Sequence, residues 1–222
     1  MTRLEDVRCA VASGADALGF VFFPASPRYV GPAQAAELMR AVPPFVSAVG
    51  LFVNATQQQV EETVRATSIS MLQFHGDETL EQCCTLAAAV NLPFLRAIRV
   101  KPTMTGADLL KYDKDYRAAS TLFSGLLLDT WVDSYGGSGK VFNWSLIPEE
   151  LAPRVVLSGG LSVQNATDAV LRVRPYAVDV SSGIELQKGI KDSARIRDFV
   201  AAVRLADSNS PDTSKAAERT SP

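Results

Sequence analysis

The sequence predicts an α/β fold: parallel strands wrapped by helices, in the size class of a (βα)8 TIM barrel. Three observations carry this. Short apolar, β-branched runs alternate with amphipathic helical patterns along the chain. The runs are nearly continuous in apolar character, as strands covered on both faces must be. Two small-residue loops, Leu157-Ser158-Gly159-Gly160 and Asp179-Val180-Ser181-Ser182-Gly183, each directly follow such a run. Strand, tight turn and helix, repeated, is the geometry of a parallel βαβ unit. The 222 residues suffice for one barrel domain.

The elements follow in order. Thr2-Arg3-Leu4-Glu5 fits a capping box, and Leu4, Val7 and Val11 recur on one helical face, so the chain opens on a helix. Strands are expected over 17–23, 46–53, 69–74, 94–100, 125–128, 154–157 and 177–180. Helices are expected between them over 32–42, 57–66, 80–90, 105–112, a short one near 144–151, and 163–173, with a last one over 193–203. A closed barrel has one more strand ahead of residue 1, so the pattern predicts a barrel with its first strand missing from this chain. From residue 206 to 222 large apolar residues nearly vanish, and such a segment cannot offset its ordering entropy. The expected organisation is a barrel domain over 1–205 and a disordered tail over 206–222.

Composition excludes several classes. With 47% hydrophobic residues the chain has the material for a large core. A net charge of −2 with interspersed signs gives no footprint for nucleic acid or an anionic membrane surface. No apolar run approaches the roughly 18 residues of a membrane helix, and no basic-then-apolar leader opens the chain. Three cysteines, of which Cys83 and Cys84 are adjacent, make no disulfide framework, so a reducing cytoplasm is expected.

In an α/β barrel the chemistry sits at the C-terminal ends of strands. Backbone N–H groups of the loops at Gly159-Gly160 and Ser181-Ser182-Gly183 can converge on a phosphate, since no Cβ blocks the approach; read alone, they also fit two ordinary tight turns. Asp129 ends the run Leu126-Leu127-Leu128 at the pocket rim, placed for general-acid work or for a turn or cap. Tyr135-Gly136-Gly137-Ser138-Gly139-Lys140 lacks P-loop spacing and reads as a loop over the pocket. His75 is the only histidine, so metal and triad chemistry lack a partner; a structural and a substrate-contact role both stay open. Arg28, in a proline-stiffened loop, fits a carboxylate clamp or a solvated surface arginine. Asp179, inside the last strand, points into the barrel or orients the phosphate loop. Cys9 falls on the outer side of its helix, and Cys83 and Cys84 lie in a helix far from any strand end. No metal-ligand cluster or cofactor motif is present in the sequence. One histidine argues against a metal-dependent epimerase. Lys101 alone does not make a lysine-dependent barrel synthase.

With these landmarks the chain resembles the phosphoribosylanthranilate isomerases of tryptophan biosynthesis. The motifs are Gly14-Ala15-Asp16-Ala17-Leu18-Gly19-Phe20-Val21-Phe22, Ser26-Pro27-Arg28-Tyr29-Val30, Val49-Gly50-Leu51-Phe52-Val53-Asn54, Gln73-Phe74-His75-Gly76-Asp77, Leu128-Asp129-Thr130, Ser158-Gly159-Gly160-Leu161 and Val178-Asp179-Val180-Ser181-Ser182-Gly183-Ile184-Glu185. The resemblance implies a (βα)8 barrel and a cofactor-free, metal-free Amadori rearrangement of a phosphoribosyl substrate. It implies Asp129 as general acid, Arg28 opposite the anthranilate carboxylate, His75 and Asp179 in the pocket, and Gly159, Gly160, Ser181, Ser182 and Gly183 on the phosphate. It also implies a monomer or weak homodimer. The family's general base is a cysteine at the end of its first strand. Neither that strand nor that cysteine is in this sequence, which predicts little turnover, or a barrel that binds without turning over.

Overall fold

The computed structural model describes residues 1–130 and 141–209. The expected loop at 135–140 and residues 210–222 lie outside them. A first helix, α1 (Leu4–Ser13), leads into β1 (Ala17–Val21), α2 (Pro32–Met39), β2 (Ser47–Phe52), α3 (Gln57–Ala66), β3 (Met71–Phe74), α4 (Leu80–Val90), β4 (Phe94–Val100), α5 (Gly106–Ala119) and β5 (Phe123–Thr130). Two 3-10 turns, Trp144–Leu146 and Ala152–Arg154, precede β6 (Val155–Leu157), α6 (Ala166–Val173) and β7 (Ala177–Val178). A small hairpin of β8 (Glu185–Gln187) and β9 (Ile190–Lys191) then leads to α7 (Ser193–Asn209).

Strands β1 to β7 form one sheet in sequence order, every neighbouring pair parallel. This is the alternating α/β pattern expected from the sequence, an α/β barrel one strand short of closure. Strands β1 and β7 are its edges. Ala17 and Gly19 on β1 are exposed while the alternating Leu18 and Phe20 are buried, so one face of this edge strand is uncovered. The Met1 nitrogen donates to Gly19 O along that edge. On the outside the ring is more complete, because α1 packs against α7.

Local chemistry explains most of the helices. Thr56 with Gln59, Thr79 with Gln82 and Thr105 with Asp108 form complete capping boxes at the starts of α3, α4 and α5, satisfying N–H groups that have no partner within the helix. The core lies largely between strands and helices. Phe94 sits 5.6 Å from both Phe74 and Phe123, and Tyr116 of α5 closes on Phe123 at 5.1 Å. Such tilted ring pairs add about 0.5–1.5 kcal/mol each beyond their buried area.

Several expectations are corrected. The capping box at Thr2 does not form: Arg3 is the N-cap without a side-chain bond, and Thr2 Oγ1 donates to Gly189 O. Arg3 instead clasps Asp6 with Nη2 at 2.6 Å and Nε at 3.0 Å, because the fully buried Asp6 requires a counter-charge. The helix expected near 144–151 is replaced by the two 3-10 turns, since Pro148 cannot donate to a helical ladder. Helix α5 runs to Ala119, well past the expected end at 112. Helix α7 continues to Asn209 with Ala206 fully buried, so order extends past the boundary drawn at 205. Ala206 supplies the burial that the tail's composition did not suggest. Cys9 is half-buried, not outward: its Sγ donates to Ser193 O at 3.6 Å, because α7 covers that side of α1.

Candidate active site

The C-terminal ends of β1 to β7 open onto a cavity of about 140 Å³ that Arg28, His75, Asp129, Gly159, Asp179 and Ser182 help to line. The structure therefore brings together residues from five separate sequence motifs. Parallel strands put their C-terminal ends on one side of the sheet, so each strand end contributes to the lining.

Asp129 stands near the end of β5, opposite Arg99 in the register with β4. Its Oδ1 accepts from the Thr130 N–H at 2.7 Å, and its Oδ2 meets His75 Nε2 at 3.0 Å. His75 follows β3, and its other ring nitrogen, Nδ1, lies 3.0 Å from Gln73 Nε2. With the amide nitrogen of Gln73 on that side, Gln73 donates to Nδ1, and the imidazole proton then lies on Nε2 and is donated to Asp129. Gln73 is a site residue that sequence reasoning missed. It is buried two positions before His75 on the same strand face, a period-2 relation that could have flagged it.

The glycine loop after β6 is shaped by close approach. Gly159 has φ 81°, and a Cβ there would lie 2.4 Å from Thr130 N and 2.6 Å from Asp129 Oδ1. Gly160 also takes the left-handed conformation, with φ 68°. Asn165 ties the loop down, donating from Nδ2 to Gly160 O at 3.0 Å and accepting from Ser162 N at 2.8 Å. The two phosphate-loop candidates lie side by side: Ser162 and Gly183 form a parallel bridge, and a Cβ on Gly183 would strike Leu161 O. Gly159, Gly160, Ser181 and Ser182 all face the cavity, while Gly183 is the contact between the loops.

Asp179 accepts from Ser158 Oγ at 3.0 Å, linking the two loops through their strand ends. Burial pushes its carboxyl above the ordinary range; the Ser158 hydroxyl opposes the shift and the nearby Asp129 charge reinforces it. Asp179 also lines the cavity, so its carboxyl borders both the pocket and the loop after β6.

Arg28 is not the solvated arginine that one reading allowed. It is paired with Glu185, Nε to Oε1 at 2.7 Å and Nη2 to Oε2 at 2.8 Å. Glu185 also receives Lys191 Nζ at 3.1 Å, and that ammonium donates to Ser181 O at 2.9 Å. Burial would raise the Glu185 carboxyl, but the Arg28 hydrogen bond and the Lys191 charge hold it below its ordinary value. Burial lowers Lys191 in spite of Glu185. This Arg28–Glu185–Lys191 chain runs from one side of the pocket to the serine loop. Lys191 was missed because the β8–β9 hairpin was missed. Its signal is Gly189, at φ 82° between two short strand-like pairs.

The cysteines stay away from the pocket. Cys83 is buried beside Tyr116, and burial raises its thiol to about 11. Burial also raises Cys84. Among the described residues no group of three His, Cys, Asp or Glu side chains is placed to hold a metal ion. No described helix is long and apolar enough to cross a membrane.

Comparison with known proteins identifies the family. The family model described as N-(5'phosphoribosyl)anthranilate (PRA) isomerase matches residues 1–202. The chain is 69% identical over 207 residues to an N-(5'-phosphoribosyl)anthranilate isomerase of Herminiimonas arsenicoxydans, covering 93% of this chain and 91% of that protein. It is 54% identical to the one of Dechloromonas aromatica, covering 93% and 94%. Among solved structures, phosphoribosyl anthranilate isomerase from Thermotoga maritima matches with a TM-score of 0.80 at 38% identity, covering 92% of this chain and 96% of that one. A structure of such an isomerase in complex with reduced 1-(o-carboxyphenylamino)-1-deoxyribulose 5-phosphate matches with a TM-score of 0.76 at 36% identity, covering 92% and 95%. A barrel whose carboxylate–imidazole pair joins the ends of β3 and β5 and whose small-residue loops follow β6 and β7 thus has these relatives: the chain belongs to the phosphoribosylanthranilate isomerase family of tryptophan biosynthesis.

Proposed function

We propose that the pocket binds N-(5-phosphoribosyl)anthranilate and that Asp129 is the acid of its Amadori rearrangement to 1-(2-carboxyphenylamino)-1-deoxyribulose 5-phosphate. Asp129 in its carboxylic-acid form gives its proton to the furanose ring oxygen, the C1–O bond breaks, the anthranilate nitrogen becomes a protonated Schiff base, and the carboxylate left behind accepts from His75 Nε2–H. A base must then take the C2 proton to give the enolamine, which ketonises to the product; the resemblance gives that role to a first-strand cysteine that is not among residues 1–222. The reading needs no metal and no cofactor.

The observation that carries it is the placement of Asp129 between His75 and the Gly159 turn. This puts a carboxyl beside the loops where a sugar phosphate would lie. N–H groups of 159–160 and 181–183 take the phosphate, helped by the Lys191 charge behind Ser181. Arg28 takes the anthranilate carboxylate. Glu185 occupies its Nε edge, which leaves the Nη1–Nη2 edge for the ligand and fixes the plane of the fork. His75 orients Asp129, and Asp179 holds the two loops together. The partner is this small molecule, with no nucleic acid or membrane, in a cytoplasmic monomer or weak homodimer.

A second reading is a barrel that binds substrate or product without turnover. What favours it is that none of Cys9, Cys83 and Cys84 borders the pocket, whereas the resemblance implies a cysteine base. Titration with a reduced product analogue, together with a turnover assay, separates the two. Binding with turnover supports the isomerase, binding alone supports the second reading, and no binding removes both.

A further inference from the structure

His75 stands on a turn, and two buried side chains outside the pocket hold the backbone of that turn. Arg96, on β4, donates from Nη1 to Phe74 O at 3.2 Å and from Nη2 to Gly76 O at 3.1 Å. These are the carbonyls on either side of His75. Glu78 accepts from Gly76 N at 2.9 Å, from Asn54 N at 2.6 Å and from Arg96 Nη1 at 2.8 Å. The His75 N–H itself donates to Phe52 O at 2.9 Å. Gly76 comes so close to the turn after β2 that a Cβ would lie 2.5 Å from Asn54 Oδ1. Arg96 is 8% exposed and Glu78 5%.

With this backbone held, the imidazole has only its side-chain torsions left to set. Gln73 and Asp129 set them, one at each ring nitrogen. The ion pair is not there as close-packed core. A cavity of about 300 Å³, lined also by Leu80, Tyr112 and Tyr116, adjoins it on the helix side. Its hold on the turn therefore comes from hydrogen bonds, and the planar guanidinium spans two carbonyls that one ammonium cannot.

We infer that Arg96 and Glu78 are positioning residues for the acid, acting through the backbone of His75 to hold its Nε2–H on Asp129. The catalytic consequence rests on the reading of Asp129 as acid; the effect on His75 does not. Because His75 is the only histidine in the chain, ¹⁵N-imidazole NMR reads this one side chain in the intact protein. The wild type is expected to show the Nε2–H tautomer predominantly, with a minor Nδ1–H population. Arg96→Lys keeps the charge opposite Glu78 but loses the fork. It is expected to raise the Nδ1–H population about fivefold or more, with little change in the thermal midpoint. Glu78→Gln should move the same signal in the same direction. In any preparation that turns over, Arg96→Lys should lower kcat by roughly tenfold or more at nearly constant KM. Wild-type His75 spectra in the folded forms of both variants would overturn the inference, even if their midpoints fell, since that pattern marks a merely structural pair. Asp129→Asn separates the two readings. If it keeps its turnover, the acid assignment fails, while the His75 spectrum of Arg96→Lys still decides the positioning.

Discussion

At the scale of single residues, Asp129 and Asp179 are two carboxylates at the ends of β5 and β7, on either side of β6, with different work. If Asp129 is the acid, Asp129→Asn should lower kcat by about 10²–10⁴-fold in a preparation with turnover, leaving inorganic-phosphate affinity nearly unchanged because the phosphate loops are separate. Steady-state kinetics with phosphate inhibition check both halves. Asp179 carries a stability signature. Burial raises its folded pKa above the unfolded value of 3.8, so the fold prefers its protonated form. Its contribution to stability is complete below pH 3.8 and is lost as pH rises through the raised folded value. Asp179→Asn keeps an acceptor for Ser158 without the charge. The variant should melt higher than wild type near pH 7, and the gap should shrink toward zero as pH falls to the unfolded pKa. A constant gap across a pH series of melts would contradict this. Glu185 has the opposite sign: its depressed pKa makes it stabilising above pH 4.5 and less so as pH falls through the folded value.

Among the elements, the glycine loop after β6 and the end of α7 make the sharpest tests. Gly159→Ala places a Cβ against Thr130 and Asp129 at a positive φ. It should destabilise by about 1–3 kcal/mol and weaken phosphate binding, as melts and inhibition constants would show. Truncation after Leu205 removes the buried Ala206 and the last turn of α7. It should lower the midpoint by about 2–4 °C for each kcal/mol lost, whereas truncation after Asn209 should leave it unchanged. Equal midpoints for the two truncations would show that Ala206 contributes nothing. Elements were legible where local chemistry and burial agree. The apolar runs gave all seven strands of the sheet, and Gln57–Ala66 and Leu80–Val90 match because Thr56 and Thr79 cap them. They were illegible where a distant partner decides. Thr2 turned from a cap to Gly189, and the β8–β9 hairpin is too short for alternation to register.

For the whole molecule the open question is the seam between β1 and β7. Edge strands with unpaired backbone groups are costly when buried and adhesive when exposed. Residues 1–222 alone are therefore expected to aggregate readily and to turn over slowly. Joining a family-like strand with its cysteine ahead of Met1 should restore stability and rate. Changing that cysteine to serine should keep the first and lose most of the second. Full turnover by residues 1–222 would instead mean that a group already in the pocket is the base. The sequence by itself determined the alternation of strand and helix, the strand ends, and hence Asp129, His75 and the two small-residue loops, because apolar periodicity and glycine turns are local properties. Only the tertiary structure decided that Gln73 fixes the proton of His75, that Glu185 takes one edge of Arg28, and that Lys191 stands behind Ser181. It also decided that Arg96 and Glu78 hold the turn beneath His75. Those partners are set by which buried charges meet across strands, and a charge shows its burial only once the chain around it has folded.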